Sequence, residues 1–329
     1  MSVNWNTIPR ENLKPFLEKR TLTALRMLAF NWGLITISFA LVIWIPAWST
    51  TIIAMVILGG RQLGLGILTH ECAHRSFVRS SAAGEWIGTW LCGAPVFVDL
   101  EIYRHYHMTH HINTGTAGDP DLANYVHYPV SRKSLLRKFT RDLLGISGLR
   151  TMLALAYLYG QKQSAKSGGG YSYKNTPKPE SQTSERPKIS FAHLIWNLRR
   201  ILIVNGLMLA AFFVLRHPLV YLLWPASWLT SYMLFSRIRN AAEHGGLPGT
   251  STNDMWGNTR TVHAAWWERL TVAPNYVNYH FEHHLAPTVP SYNLPKMHDW
   301  LLRQGAYERA TLETGYVQII HRMTRQNPL

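Results

Sequence analysis

Residues 48–74 read WSTTIIAMVILGGRQLGLGILTHECAH, an apolar run that ends in a pair of histidines. The part up to Leu68 is long enough to cross the hydrocarbon core of a bilayer, which takes about 20 residues of helix. Beyond it, His70 and His74 are four residues apart and therefore lie on one face of a helix. This stretch predicts a membrane helix that presents two imidazoles just beyond one end.

Three further apolar runs complete two predicted hairpins. Residues 27–45 precede the first stretch, and residues 198–215 and 219–235 follow each other later in the chain. Only a few residues separate the members of each pair, so each pair is expected to be antiparallel. The sequence thus predicts an all-α integral membrane protein with four transmembrane helices (48–68 included) in two hairpins, forming a single domain over residues 1–329.

The distribution of charge orients these predicted spans. The chain carries 33 Lys and Arg against 18 Asp and Glu, a formal net charge of +15, and the charges lie between the apolar blocks. Basic segments stay preferentially on the cytoplasmic side of a membrane. Both termini, a flexible loop at 164–188 and a helical cap that holds the histidines are therefore predicted on that side, in a bacterial cytoplasmic membrane rather than the endoplasmic reticulum. The long apolar blocks argue against a nucleic-acid partner.

Two more histidine clusters have the pattern HxxHH. They are HMTHH at 107–111 and HFEHH at 280–284. Positions i, i+3 and i+4 of a helix fall within an arc of about 100°, so each cluster can aim its imidazoles at one point. Eight imidazoles exceed the three protein ligands of a catalytic zinc, which implies two metal ions. Imidazole suits zinc, copper, iron and nickel, so the metal is open at this stage. The eight candidate ligands are His70, His74, His107, His110, His111, His280, His283 and His284.

Two other functional classes fit parts of this pattern. The first cluster matches the HExxH motif of zinc proteases, in which Glu71 would be the general base, but that assignment leaves six clustered histidines without a role. A metal transporter would place polar side chains near the bilayer midplane, whereas these clusters lie at or beyond the ends of the spans. An intramembrane HExxH zinc metalloprotease is therefore kept as a distant alternative.

Together the three clusters resemble the histidine boxes of the membrane fatty-acid desaturase and hydroxylase superfamily. The flanking residues agree, with DPD at 119–121 after the second box and NY at 278–279 before the third. The resemblance implies two iron ions held by nine histidines, with one asparagine in contact through water. An NxxxH element after the fourth predicted span supplies His244 as the ninth histidine and Asn240 as the asparagine.

The resemblance further implies an O2-dependent oxidation of an unactivated C–H bond. Two successive hydrogen abstractions would give an alkene, as in a fatty-acyl desaturase, whereas return of a hydroxyl group would give an alcohol. Because the outcome depends on where the substrate carbon is held, a hydroxylase or ketolase acting on a lipid or carotenoid is the alternative. The family's chemistry takes place at the metal ions, so no catalytic residue is predicted beyond the ligands.

Such a reaction also needs two electrons and a path for its substrate. Cys72 and Cys92 are too few for an iron–sulfur cluster, and the sequence holds neither a GxGxxG nucleotide loop nor an HPGG haem motif. A separate ferredoxin or cytochrome b5 type donor with its reductase is therefore expected. The acyl or lipid substrate would enter from the membrane through an apolar tunnel, with Trp86, Trp90 and Leu91 as predicted wall residues.

Overall fold

The computed structural model describes residues 9–161 and 189–324, and this part of the chain is mainly helical. The predicted flexible loop at 164–188 lies outside the described residues. The helices are α1 (Arg10–Leu13), α2 (Thr21–Trp44), α3 (Trp48–Ala73), α4 (Ser81–Ile87), α5 (Leu100–Asn113), α6 (Leu122–Tyr125), α7 (Arg132–Leu143), α8 (Ile146–Gly160), α9 (Phe191–Val214), α10 (Leu223–Ser227), α11 (Met233–His244), α12 (Met255–Asn258), α13 (Trp266–Leu270), α14 (His280–Leu285), α15 (Leu294–Arg303) and α16 (Tyr316–Arg322). Two short strands, β1 (Arg260–His263) and β2 (Thr311–Thr314), pair in parallel.

Three helices in the described residues are long and apolar enough to cross a membrane: α2, α3 and α9. Helices α2 and α3 form the first predicted hairpin, and α3 runs without a break from the apolar stretch into the first histidine cluster. Apolar side chains such as Trp44, Ile52 and Leu207 are exposed on the outer faces of these helices, as expected where lipid replaces water. The chain is therefore a membrane protein.

The fourth predicted span, 219–235, is helical but interrupted. A 3-10 turn over Pro218–Leu222 leads into α10, and a π-helical segment over Trp228–Tyr232 separates α10 from α11. Within this segment the Thr230 hydroxyl donates to the carbonyl of Ala226 at 2.7 Å. Side-chain bonds of this kind compete with the backbone ladder and bend helices. An uninterrupted apolar helix of spanning length is therefore not found there.

A different part of the described chain offers another crossing. Helices α7 and α8 are bent by 68° at their junction, and together they are apolar enough to cross a membrane. This pair lies outside the four predicted spans. By length and composition the described residues hold three spans, or four if the bent pair counts as one, so the four-span arrangement remains a prediction.

The segment that leads to α14 is tied to the first hairpin by polar side chains buried between α2 and α3. Arg61 is 1% exposed, and it donates to Asn31 Oδ1 at 3.2 Å and to the carbonyl of Arg269 at 2.9 Å. Asn275 donates to the carbonyl of Gly64 at 2.8 Å and accepts from the Asn31 amide at 3.1 Å. These bonds satisfy polar groups that are costly to bury alone. They hold the segment before α14 against the side of α3.

Candidate metal centre

The nine predicted histidine ligands converge on two neighbouring points. At each point the candidate ligand atoms all lie within 4.8 Å of one another. The first set consists of His70, His74, His107, His111 and His283. The second set consists of His110, His244, His280 and His284. Seven of the nine are buried, and the other two, His74 and His111, are partly exposed.

Each HxxHH cluster is divided between the two sets. On α5, His107 and His111 are one helical turn apart and belong to the first set, while His110 turns towards the second. On α14 the division is reversed, since His280 and His284 belong to the second set and His283 to the first. Side chains at i and i+4 lie above one another on a helix, and the one at i+3 lies to their side. Each of the two helices therefore places two histidines in one set and its third histidine in the other set.

In the first set the ring nitrogens are spaced as ligands of one shared ion. Nε2 of His283 lies 2.9 Å from Nε2 of His70 and 3.0 Å from that of His111. Nε2 of His107 lies 2.9 Å from those of His74 and His111. Nitrogens about 2.1 Å from an ion and at right angles to each other are about 3.0 Å apart. Five imidazoles exceed the four positions of a tetrahedral zinc and fit an ion of higher coordination number.

The second set presents Nε2 atoms in the same way. His244 donates from Nδ1 to the carbonyl of Asn258 at 2.9 Å, which leaves its Nε2 free at 2.9 Å from Nε2 of His280. Nε2 of His284 is buried without a hydrogen-bond partner. A buried polar atom left in this state lowers stability, and a metal ion at the second set would supply the missing partner.

Three ligands have a carboxylate on the side of Nδ1, away from the convergence points. The pairs are His110 with Asp119 at 2.9 Å, His70 with Glu71 at 3.3 Å and His280 with Glu243 at 3.4 Å. Carboxylates placed behind metal-bound histidines fix the tautomer and the direction of the ring. The sequence analysis assigned no such role, although two of the three acids directly neighbour a ligand in the sequence.

Glu71 is not placed as the general base of an HExxH protease. Its carboxylate accepts hydrogen bonds from the backbone N–H of Ser291 at 2.7 Å and from the hydroxyl of Ser76 at 3.1 Å. It therefore lies behind His70 rather than facing the ion site, where a general base would have to reach a zinc-bound water. His70 and His74 themselves belong to a set of five imidazoles, which does not fit the protease alternative.

Burial keeps eight of the nine clustered imidazoles neutral near pH 7. Burial, reinforced by neighbouring cations and histidines, lowers the pKa of His74 to about 4, that of His111 to about 2 and that of His244 to about 3. Neutral imidazole is the form that binds a metal ion. These eight are thus ready to bind cations without first releasing protons. For His110 the effect of burial is outweighed by the hydrogen bond to Asp119 and by nearby carboxylates, which raise its pKa.

The chain matches the family model "Fatty acid desaturase" over residues 43–316, which is most of its length. It belongs to the fatty acid desaturase family. Membership confirms the resemblance drawn from the histidine boxes and identifies the chain as an oxidoreductase with a desaturase function.

Individual relatives of this family member are distant. The dihydrorhizobitoxine desaturase of Bradyrhizobium elkanii is 23% identical over 82% of this chain and 72% of its own length. A chloroplastic omega-6 fatty acid desaturase of Arabidopsis thaliana is 24% identical over 89% of this chain, which spans only 61% of that protein. The sn-1 acyl-lipid omega-3 desaturase (ferredoxin) of Synechocystis sp. is 32% identical over 39% of this chain and 33% of its own length.

A cavity adjoins both histidine sets of this desaturase, and α11 forms one wall of it. Asn240 lines the cavity, one helical turn before His244. Its Oδ1 accepts a hydrogen bond from Arg239 at 2.9 Å. Burial raises the pKa of Glu243, on the same face, to about 7, although Arg239 opposes that shift. Asn240 thus lies near the second set, while its water-mediated metal contact remains a prediction.

The three predicted tunnel residues do not line this cavity. Trp86 is 56% exposed, and Leu91 accepts a hydrogen bond from the indole N–H of Trp32 at 3.0 Å, on the side of α2. Their segment, α4 followed by a π-helical stretch over Gly88–Gly93, packs against the hairpin instead of facing the metal centre. The assignment of Trp86, Trp90 and Leu91 to a substrate wall therefore stays a prediction.

Two histidines that flank the clusters join neither set. His105 is exposed on α5. His298 is buried on α15, where its Nδ1 contacts the carboxylate of Glu282 and the hydroxyl of Tyr307 at 2.8 Å. Since Glu282 lies on the opposite side of α14 from the ligands, His298 supports the third histidine cluster from behind.

Proposed function

We propose that this family member holds one iron ion in each histidine set and uses O2 to introduce a double bond into the acyl chain of a lipid. The bound irons would supply the reduction of O2 and the removal of two hydrogens from adjacent carbons. One O2, two electrons and two protons enter the reaction, and two waters leave with the alkene.

The division of nine imidazoles into two adjacent sets carries this proposal. A set of five ligands does not suit zinc, and imidazole donors with outer carboxylates suit iron. The family match over residues 43–316 supports the same reading. It also supports treating the whole chain, 1–329, as one functional domain.

The residues of the chain have binding and orienting roles in this reaction. The nine histidines bind the metals, and Asn240 contacts one of them through water. Asp119, Glu243 and Glu71 keep the Nδ1 side of three ligand rings fixed. Leu63 and Ile67 of α3 line the cavity with apolar surface, which excludes water from the carbon under attack.

The electrons come from a separate ferredoxin or cytochrome b5 type donor with its reductase. The Synechocystis relative, whose name includes ferredoxin, supports such a partner. His74 and His111 are the partly exposed ligands, so the first set is the nearer one to a donor at the surface. The donor would bind on the cytoplasmic side of a bacterial membrane, where the cap is proposed to lie.

Expression in a bacterial host that lacks such an enzyme tests the proposal. The purified protein should contain about two irons per chain, as a two-metal site requires, and the lipids of the host should gain a double bond only in the presence of O2. A His107→Ala/His284→Ala variant at the same membrane level serves as the inactive control. Hydroxylated or keto products would assign the alternative activity. One zinc per chain with activity that persists without O2 would contradict the proposal.

A further inference from the structure

The cavity beside the metal centre has two chemically different walls. Leu63 and Ile67 of α3, together with Val98, form an apolar wall. A second part of the lining is polar and is built mainly by α11 and α5. Its side chains include Arg239, Ser236, Tyr232 and Tyr103. A tunnel for plain hydrocarbon would be apolar on all sides, so the polar wall needs a partner of another kind.

Several donors of this wall lack protein partners. Arg239 uses one terminal nitrogen for Asn240 and Glu243, both at 2.9 Å, while its Nε is buried without an acceptor. Within residues 9–161 and 189–324, the hydroxyl groups of Tyr103, Tyr232 and Ser236 make no hydrogen bond. Both tyrosines lie close enough to the guanidinium to interact with its charge.

A hydrocarbon segment in this position would displace water from the donors and offer them nothing in return. Displacing ordered water with a group that cannot replace its hydrogen bonds weakens binding, by roughly tenfold for each bond of ordinary strength. An oxygen acceptor would instead satisfy several donors together. Glu243 offsets part of the charge of Arg239, so the acceptor need not be charged.

We propose that the substrate of this enzyme carries a hydrogen-bond-accepting oxygen group close to the C–H bonds that react. The polar wall receives this oxygen while the adjoining hydrocarbon lies along Leu63 and Ile67. Attack then occurs near the oxygen-bearing end of the substrate rather than deep within a long chain. This inference rests on the proposed function, because it takes the cavity as the substrate site. The oxygen belongs either to an ester or to a free carboxylate.

The binding of three probes with eight-carbon chains to the iron-loaded, full-length enzyme tests the inference. The probes are octane, methyl octanoate and sodium octanoate, measured by equilibrium dialysis against detergent micelles alone. After the uptake of each probe by micelles alone is subtracted, an oxygenated probe should bind the wild-type enzyme at least about tenfold more tightly than octane. In Tyr232→Phe/Ser236→Ala this preference should fall by about tenfold or more at unchanged iron content.

Two variants make the comparison independent of misfolding. Tyr103→Phe removes a hydroxyl from a different helix and should shift the preference in the same direction. Tyr221→Phe removes a hydroxyl that donates to Asn205 at 3.1 Å, away from the cavity, and should leave the preference unchanged. These substitutions delete one oxygen each, so iron content and thermal unfolding should stay near wild type.

Each outcome has a defined meaning. Tighter binding of methyl octanoate identifies an ester, and tighter binding of octanoate identifies a carboxylate held at Arg239. The inference is overturned if octane binds as tightly as both, or if the preference survives in Tyr232→Phe/Ser236→Ala. Alkene formation tests the proposed function separately, since an enzyme that forms alkenes while preferring octane contradicts only the inference.

Discussion

At the scale of single residues, one position along a helix decides which of the two sets a histidine joins. His110 and His111 are adjacent in the sequence, yet they belong to different sets. Consecutive helical side chains point about 100° apart, so neighbouring ligands cannot share an ion easily. One helix with HxxHH spacing therefore supplies histidines to both sets. Moving a histidine of the motif by one position would turn it away from its own set.

His244 tests the ninth-ligand assignment. His244→Ala removes one of four imidazoles from the second set, so bound iron should fall from about two to about one per chain, and turnover should be lost. Asn240→Ala removes only a water-mediated contact, and activity should fall by about 10–100-fold with most iron retained. Metal analysis and lipid turnover at matched expression levels measure both effects.

The exposed His105, which lies outside both sets, provides the control. His105→Ala should keep both irons and wild-type turnover, while His283→Ala should lose an iron from the first set. If His244→Ala retains two irons and normal activity although His283→Ala does not, His244 is not a ligand.

At the scale of secondary structure, α3 combines three roles in one helix. It is long and apolar enough to cross a membrane, it carries the first histidine cluster, and its glycine face receives the segment that leads to α14. A Cβ atom added at Gly60 would lie 2.2 Å from the carbonyl oxygen of Leu270 and 2.9 Å from Cα of Thr271. Both neighbours are backbone atoms and cannot move without shifting the segment that leads to α14.

Gly60→Ala should therefore push this segment away from α3. Overpacking of this kind typically costs about 1–3 kcal/mol, and the third histidine cluster should lose alignment, so iron content should fall as well. Gly33→Ala on α2 is the matched control, because nothing lies within 4 Å of its added Cβ. That change should be neutral or should stabilise the helix by up to about 1 kcal/mol. The measurement is thermal unfolding of the two purified variants in the same detergent. If their unfolding curves coincide, the close approach of Leu270 and Thr271 to Gly60 is refuted.

At the scale of the whole molecule, the metal centre is assembled from both halves of the chain. Helices α3 and α5 contribute ligands from the first half, and α11 and α14 contribute the others from the second. Neither half holds a complete set. The two halves must therefore present their histidines on the same side of the membrane, which constrains the topology.

Reporter fusions test this constraint. Fusions at Ser2, within 164–188 and at Leu329 should all report the cytoplasmic side, because basic segments remain there and the clusters before and after the loop share one site. A fusion at His217, between the third and fourth predicted spans, should report the opposite side. A loop that reports outside would contradict the four-span topology.

Much of the candidate site could be recognised from sequence because its information is local. The i, i+3, i+4 spacing shows that histidines share a helix face, whatever surrounds that helix. Apolar length alone predicted α2, α3 and α9, since a bilayer imposes its thickness on each helix separately. The histidine boxes also led to the correct family. These features would be the same in an isolated segment.

The tertiary structure alone decided how those faces meet. Only the convergence of α3, α5, α11 and α14 divides the imidazoles into sets of five and four, and only the folded chain brings Glu243 of α11 behind His280 of α14. The polar wall around Arg239 likewise depends on contacts between residues far apart in sequence. Local spacing determines which side chains share a helix face, whereas burial against distant elements determines what that face contacts.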